Sequence, residues 1–245
     1  MKSKLYRQTQ KRNHANQIGG IILALIFWGQ VSWAQEDRRD FESWTSAELR
    51  YKPTKRWKTG MELQMRLKEN SSEIDGYFAE LTGGYEIFKN FDVGLGLRFI
   101  RKNDNTGAVQ GYENHGRIHA DASYKHKINR LALGYRLRYQ NKDELGVSNE
   151  NGDFADQYIR LKVGTEYDFK KWKLDPQLSA EIFHHSEKNE ENEFNKFRIT
   201  FGTDYKFKKA GKIGVYYRYE KEINTADPRS TDILRIRYIY TFKGY

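Results

Sequence analysis

In eleven segments between Trp44 and Phe242, apolar side chains return at every second position, with polar residues or glycine between them. In Leu131–Tyr139 one set is Leu131, Leu133, Tyr135, Leu137 and Tyr139, and the other is Ala132, Gly134, Arg136 and Arg138. A period of two puts the sets on opposite faces of a β-strand. Trp57, Thr59, Met61, Leu63, Met65 and Leu67 alternate in the same way with Lys58, Gly60, Glu62, Gln64 and Arg66, and Phe91 to Phe99 repeat the pattern. The predicted strands are 42–51, 57–68, 76–87, 91–101, 114–126, 131–140, 157–169, 172–184, 194–207, 213–222 and 232–242. After Gln35 no stretch sustains a 3.6-residue apolar period or the long apolar run of a transmembrane helix. The fold class is therefore all-β, with antiparallel strands.

Alternation alone does not say which face meets which solvent, because a soluble sandwich or lipocalin-like barrel alternates too. Three features turn the apolar face outward into lipid. The segments reach roughly 9–11 residues or more, the length that crosses a bilayer at a tilt, whereas globular strands average about 5–6. Trp57, Tyr85, Phe91, Tyr139, Tyr167, Phe169, Trp172 and Phe207 stand at the ends of the apolar face, as interfacial girdles do. The polar face mixes glycine with Arg, Lys and Glu, which suits a hydrated or ion-paired lumen. The expectation is an antiparallel transmembrane β-barrel.

Connections alternate in length. Short ones lie near Pro53, Lys89-Asn90, Ile128-Asn129, Lys170-Lys171 and Ala210-Gly211, and long polar ones over 69–75, 102–112, 141–154, 185–193 and 224–231. Outer-membrane barrels keep short turns on the periplasmic side and long loops outside, which orients the chain. Bacterial single-chain barrels have an even number of strands. Eleven segments therefore predict ten to twelve strands, with twelve preferred on the premise that a long loop hides a short strand or a terminal segment is misread. The last segment sets Leu234, Ile236, Tyr238, Tyr240 and Phe242 at alternate positions, similar to the C-terminal signature read by barrel-assembly machinery, although Lys243-Gly244-Tyr245 follow it.

Aromatic residues make up 15% of a chain whose mean hydropathy is -0.91, and disordered chains are poor in aromatics; the chain is folded. Residues 1–34 read as a secretory signal peptide: Lys2, Lys4, Arg7, Lys11 and Arg12 precede an apolar run from Ile18 to Trp28, and Ser32-Trp33-Ala34 supplies the cleavage site. Cleavage after Ala34 leaves a barrel domain of 35–245. An anchor helix would need about 20 apolar residues, and Ile18–Trp33 is shorter and interrupted by Gln30 and Ser32. Without those five basic residues the formal charge falls from +10 to +5 (43 − 5 = 38 basic against 33 acidic). The remaining charges are spread along strands, which argues against a nucleic-acid groove. Cysteine is absent, so no disulfide or thiolate-bound metal is expected.

Candidate chemistry is sparse. His115 and His119 share a strand face but lie roughly 13 Å apart along it, too far for one metal ion. His184 and His185 point to opposite faces; with Glu181 and Glu187 nearby they are a weak metal candidate. His119, Asp121 and Ser123 share one polar face, too widely spaced along it for direct hydrogen bonds. Gly83-Gly84 and Gly94-x-Gly96 lack the helix a phosphate loop requires and make room within strands instead. The informative set is the charged polar face, the lumen-lining candidates: Glu48, Arg50, Glu62, Arg66, Glu80, Glu86, Arg98, Arg117, Arg136, Arg138, Arg160, Glu166, Glu181, Arg198, Arg218, Glu220, Arg235 and Arg237. Eleven Arg against seven Glu predict either ion pairs that staple the lumen or a narrow, anion-favouring passage.

Trp44, the run Trp57-x-x-Gly-Met-Glu-Leu-Gln-Met-Arg66, the block Tyr135-Arg-Leu-Arg-Tyr139, Gln157-Tyr-Ile-Arg-Leu161, Glu181-Ile-Phe183 and the closing strand together resemble the outer-membrane barrels of domain-of-unknown-function family 2490, common in Bacteroidetes. The resemblance covers nearly the whole mature chain. It implies a Gram-negative outer-membrane location and a barrel fold, and it carries no substrate or catalytic residues. The expected function is a non-enzymatic barrel, structural or accessory or a narrow porin-like passage. The alternatives are a barrel enzyme acting on lipid or surface molecules and a soluble periplasmic barrel for an apolar ligand. No catalytic, cofactor or metal residues are assigned. The expected partners are outer-membrane lipid and the barrel-assembly machinery, with no nucleic acid.

Overall fold

The structure, a computed structural model, describes residues 38–105, 110–147, 154–170, 173–188, 192–208 and 210–245. The predicted signal peptide and Trp172 lie outside the described residues. Eleven strands follow one another: β1 (Arg38–Lys52), β2 (Trp57–Lys68), β3 (Glu73–Phe88), β4 (Phe91–Asp104), β5 (Gly111–Ile128), β6 (Leu131–Glu144), β7 (Asp156–Tyr167), β8 (Leu174–Ser186), β9 (Glu193–Lys206), β10 (Lys212–Glu222) and β11 (Arg229–Lys243). Each pairs antiparallel with its sequence neighbours, and β1 closes the barrel against β11. With an odd number of strands the first and last run the same way, and they pair parallel from Arg38↔Arg229 to Lys52↔Lys243. The preference for twelve gives way here: among the described residues there are eleven strands, and the parallel seam removes the open edge that an even count would otherwise be needed to close.

The strands are 11 to 18 residues long. Tracing paired residues round the wall from Arg39 leads through Ser230, Lys221, Phe197, Ile182, Leu161, Leu137, Ala122, Val93 and Tyr85 to Trp57. Continuing the Tyr51↔Thr59 pairing by two residues sets Trp57 beside Pro53, so one circuit climbs 53 − 39 = 14 residues along β1. A stagger of that size tilts the strands by roughly 40°.

Alternation sorts the side chains. Leu63, Leu81, Leu95, Leu97, Leu137, Leu161 and Phe201 are about half exposed or more on the outer surface. On the inner face lie buried Glu80, His119, Gln140, Arg160, Glu181 and Asp204. A soluble protein would invert this arrangement, because an exposed apolar surface of that extent is unfavourable in water. In lipid it is the favourable one: the closed ladder satisfies the backbone and the leucine face meets hydrocarbon. Among the described residues no helix is long and apolar enough to cross a membrane; strands make the crossing.

Ring pairs gather at the short-turn end. They include Tyr51 on Phe242 (4.6 Å), Trp57 on Tyr85 (4.9 Å), Phe88 on Phe91 (4.7 Å), Tyr167 on Phe169 (4.6 Å) and Tyr205 on Phe207 (4.9 Å). The turns there are tight, and Asn90 (φ 73°), Asn129 (φ 57°) and Gly211 (φ 79°) take the left-handed conformation that Asn and Gly tolerate best. At the other end the Asp40 carboxylate accepts the backbone N–H groups of Glu69 (3.1 Å) and Asn70 (2.8 Å) and pairs with Arg229 (2.8 Å). This ties the β2–β3 turn to the parallel seam.

Candidate functional site: the barrel lumen

All eighteen charged residues singled out above stand at inward positions of the alternation, and their register explains which of them meet. One row of neighbours runs Arg136–Lys162–Glu181–Arg198–Glu220 across β6 to β10. Inside a barrel wall, charges opposite one another are held at strand spacing, so carboxylates and guanidiniums pair without loop help.

Glu181 is the centre of this row. It accepts from Arg136 (2.7 Å) and Arg160 (2.9 Å), and Arg198 lies 3.6 Å away. Glu220 takes Arg198 and Lys196 (2.9 Å). A second centre forms on β3, where Glu80 receives Arg98 (2.5 Å) and Arg117 (2.9 Å). Arg138 grips Asp121 through two bonds of 2.6 Å. Arg235 reaches Glu62 across the seam, and Glu48 pairs with Arg50 on its own strand (2.5 Å). Glu166 pairs with Lys125 (2.8 Å), and Glu86 accepts the Asn90 amide (3.4 Å) at the short-turn end. Arg237 bonds the Tyr216 hydroxyl (3.1 Å), whereas Arg218 has no hydrogen-bonded or ion-paired partner among the described residues.

Three rings cross the lumen between these charges. Arg66 lies 3.8 Å over Trp44, Arg98 3.6 Å over Phe78, and Arg160 4.4 Å over Phe183. Arg198 bridges the last and the first, 5.0 Å from Phe183 and 5.8 Å from Trp44. Guanidinium planes stack on aromatic faces with an attraction of order 1–2 kcal/mol where water is displaced. Beside this layer are two cavities of about 390 and 510 Å³, adjoining at Asp92, Ser123 and Arg136.

Residues 41–231 match the family described as "Protein of unknown function (DUF2490)". The chain belongs to this family. Two solved structures are similar: outer-membrane expressed OmpT of Vibrio cholerae, with 13% identity and a TM-score of 0.41 over 68% of this chain and 54% of that one, and in-vitro folded, trimeric OmpT of the same organism, with 12% identity and a TM-score of 0.39 over 71% and 58%. This chain thus spans little more than half the length of either. No curated protein matches it.

In this DUF2490 chain the histidines fall where the ion pairs leave room. His119 lies 4.0 Å from both Glu80 and Asp121, but Arg138 already occupies Asp121, and no hydrogen bond joins His119 to Ser123 among the described residues. His184 packs edge-on to Phe194 (5.1 Å). His185 turns inward to Asp156 (3.1 Å) and Glu187 (3.8 Å). Those three hold ligand-type atoms within 4.8 Å of one another, although Lys142 also binds Asp156 at 2.6 Å. The expected neighbour Glu181 is not part of that group, because it stands two inward positions away from His185 on β8, beyond Phe183 and among the arginines.

Lys162, Asp204 and the rings of Trp44, Phe78, Phe183 and Tyr216 were not among the lumen-lining candidates, and Asp121 was weighed only with His119 and Ser123, not as a partner of Arg138. Each stands at the same alternate positions as its charged neighbours, as Trp44 does between Glu42 and Ser46. An aromatic residue at polar parity was the signal available.

Proposed function

We propose that the chain is exported by cleavage after Ala34, is inserted by the barrel-assembly machinery, and serves in the outer membrane as a narrow passage for small anions without catalytic activity of its own. The observation that carries this reading is the lumen itself. Adjoining cavities lie against a wall where one carboxylate, Glu181, is shared by Arg136, Arg160 and Arg198. A low-dielectric wall lined with one sign of charge concentrates the opposite ion, and rings of Arg and Lys select anions in pores. The Trp44–Phe78–Phe183 layer keeps the bore small, so conductance should be low.

The test is single-channel recording of the refolded mature chain in a planar bilayer under a KCl gradient. Small discrete steps with a reversal potential on the chloride side support the passage. An electrically silent barrel that keeps its heat-modifiable mobility on a gel excludes it and leaves a structural or accessory role.

A further inference from the structure

The row of neighbours adjoining Arg136–Lys162–Glu181–Arg198–Glu220 is made of small residues: Gly134, Gly164, Ser179 and Thr200, ending at Arg218. A β-carbon added at Gly134 would meet nothing within 4 Å. This stretch of wall is therefore set back, and the cavity of about 390 Å³ occupies the space.

The charges around that cavity do not balance. Asp92 is paired with Lys58 (2.5 Å) and Glu166 with Lys125 (2.8 Å), so each of those carboxylates is already neutralised. Arg136 takes its share of Glu181. Lys162 and Arg218, which also line the cavity, have no hydrogen bond or ion pair with any described residue. The Nε of Arg218 is shielded from solvent and unsatisfied, and its guanidinium stands 5.2 Å from the Trp44 ring. Two cations that make no ion pair of their own, beside a third that shares Glu181, repel one another and cost desolvation. A bound anion relieves both.

We propose that this cavity is a binding site for a small, multiply charged oxyanion of the phosphate class, held by Lys162, Arg218 and Arg136, with the Ser179 and Thr200 hydroxyls as further donors. Guanidinium presents a planar fork to such oxygens and ammonium a point charge, and the two together suit a tetrahedral anion better than a single halide. The proposal rests on the anion-favouring reading of the lumen and names the ion for which the lumen holds a station.

The experiment is calorimetric titration of the folded mature chain in detergent with inorganic phosphate at pH 8 and constant ionic strength, with chloride titrated as the control. Saturable phosphate binding, at least tenfold tighter than chloride, is expected. The double variant K162Q/R218Q should weaken it at least tenfold while leaving the barrel folded, since neither side chain makes a hydrogen bond or ion pair with a described residue. Gly134→Leu fills the cavity without touching a charge and should abolish binding as well. Absence of phosphate binding in the wild type overturns the proposal, and so does full binding in either folded variant. If K162Q/R218Q fails to fold, Gly134→Leu alone decides. Phosphate binding by an electrically silent barrel would keep the site and remove the passage; anion conductance without phosphate binding would do the reverse.

Discussion

Glu181 shows how the interior is held together at the scale of one residue. Its side chain is 5% exposed and is the one ion-paired carboxylate of Arg136 and Arg160 among the described residues, with Arg198, which also pairs with Glu220, 3.6 Å away. Breaking a buried ion pair by removing one partner costs roughly 3–5 kcal/mol, because the remaining charge stays buried. Glu181→Gln should therefore lower the unfolding free energy in lipid vesicles by about 3 kcal/mol, read as the denaturant midpoint of the heat-modifiable band. Glu166→Gln is the comparison, since its partner Lys125 is 53% exposed; an exposed pair contributes at most about 1 kcal/mol. Equal losses for the two variants would show that the Glu181 centre is not the staple described here. Which arginines converge on Glu181 was not legible in the chain. Its parity marked it as inward, but Arg136 and Arg160 come from strands paired through long-range register that no local pattern encodes.

At the scale of the strand, the outward face is what couples the chain to the bilayer. Leu137 lies outward, 50% exposed, in the middle of β6. Leu137→Arg should destabilise the inserted barrel by roughly 2–4 kcal/mol, the cost of an arginine at the bilayer midplane. The same change at Tyr112, near the long-loop end of β5, should cost about 1 kcal/mol or less. Vesicle-folding titrations check both, and depth-independent costs would speak against a membrane-spanning wall. Strand interiors were legible because each carries two contrasting faces: β2 is Trp57–Lys68 in the structure, matching the expectation, and β10 begins one residue early at Lys212. Strand ends toward the long loops were not. Arg38-Arg39-Asp40 at the start of β1 and Arg229-Ser230-Thr231 at the start of β11 are polar on both faces, so alternation has nothing to mark, yet β1 and β11 pair over that length. The same holds for Asn141 to Glu144, which extend β6 beyond its apolar face.

For the whole molecule, the odd strand count has a geometrical consequence. Because β1 and β11 run parallel, Arg38 at the start of β1 lies at the long-loop end, and Lys243 at the finish of β11 lies at the short-turn end. With the long loops outside, a peptide tag placed before Arg38 should be labelled by antibody in intact cells, while a tag after Tyr245 should need permeabilisation. Labelling of both tags only after permeabilisation would contradict the parallel closure. The count of eleven was present in the pattern, and the even-number rule drew the expectation toward twelve. What decides between them is the seam, where contacts such as Arg39 to Asp232 join residues 193 positions apart that alternation does not connect.

A wall that stands in lipid with its apolar face outward and its charged face around water must show both solvents at alternate residues of one strand. The chain has no cysteine, so single cysteines at positions 159 to 164 on β7 can each carry a nitroxide in the vesicle-inserted barrel. Ile159, Leu161 and Val163 point outward and Arg160, Lys162 and Gly164 inward. Collision with lipid-soluble oxygen should peak at 159, 161 and 163, and collision with a water-soluble nickel chelate at 160, 162 and 164. Loss of that alternation, or its reversal, would mean that the apolar face does not stand in lipid.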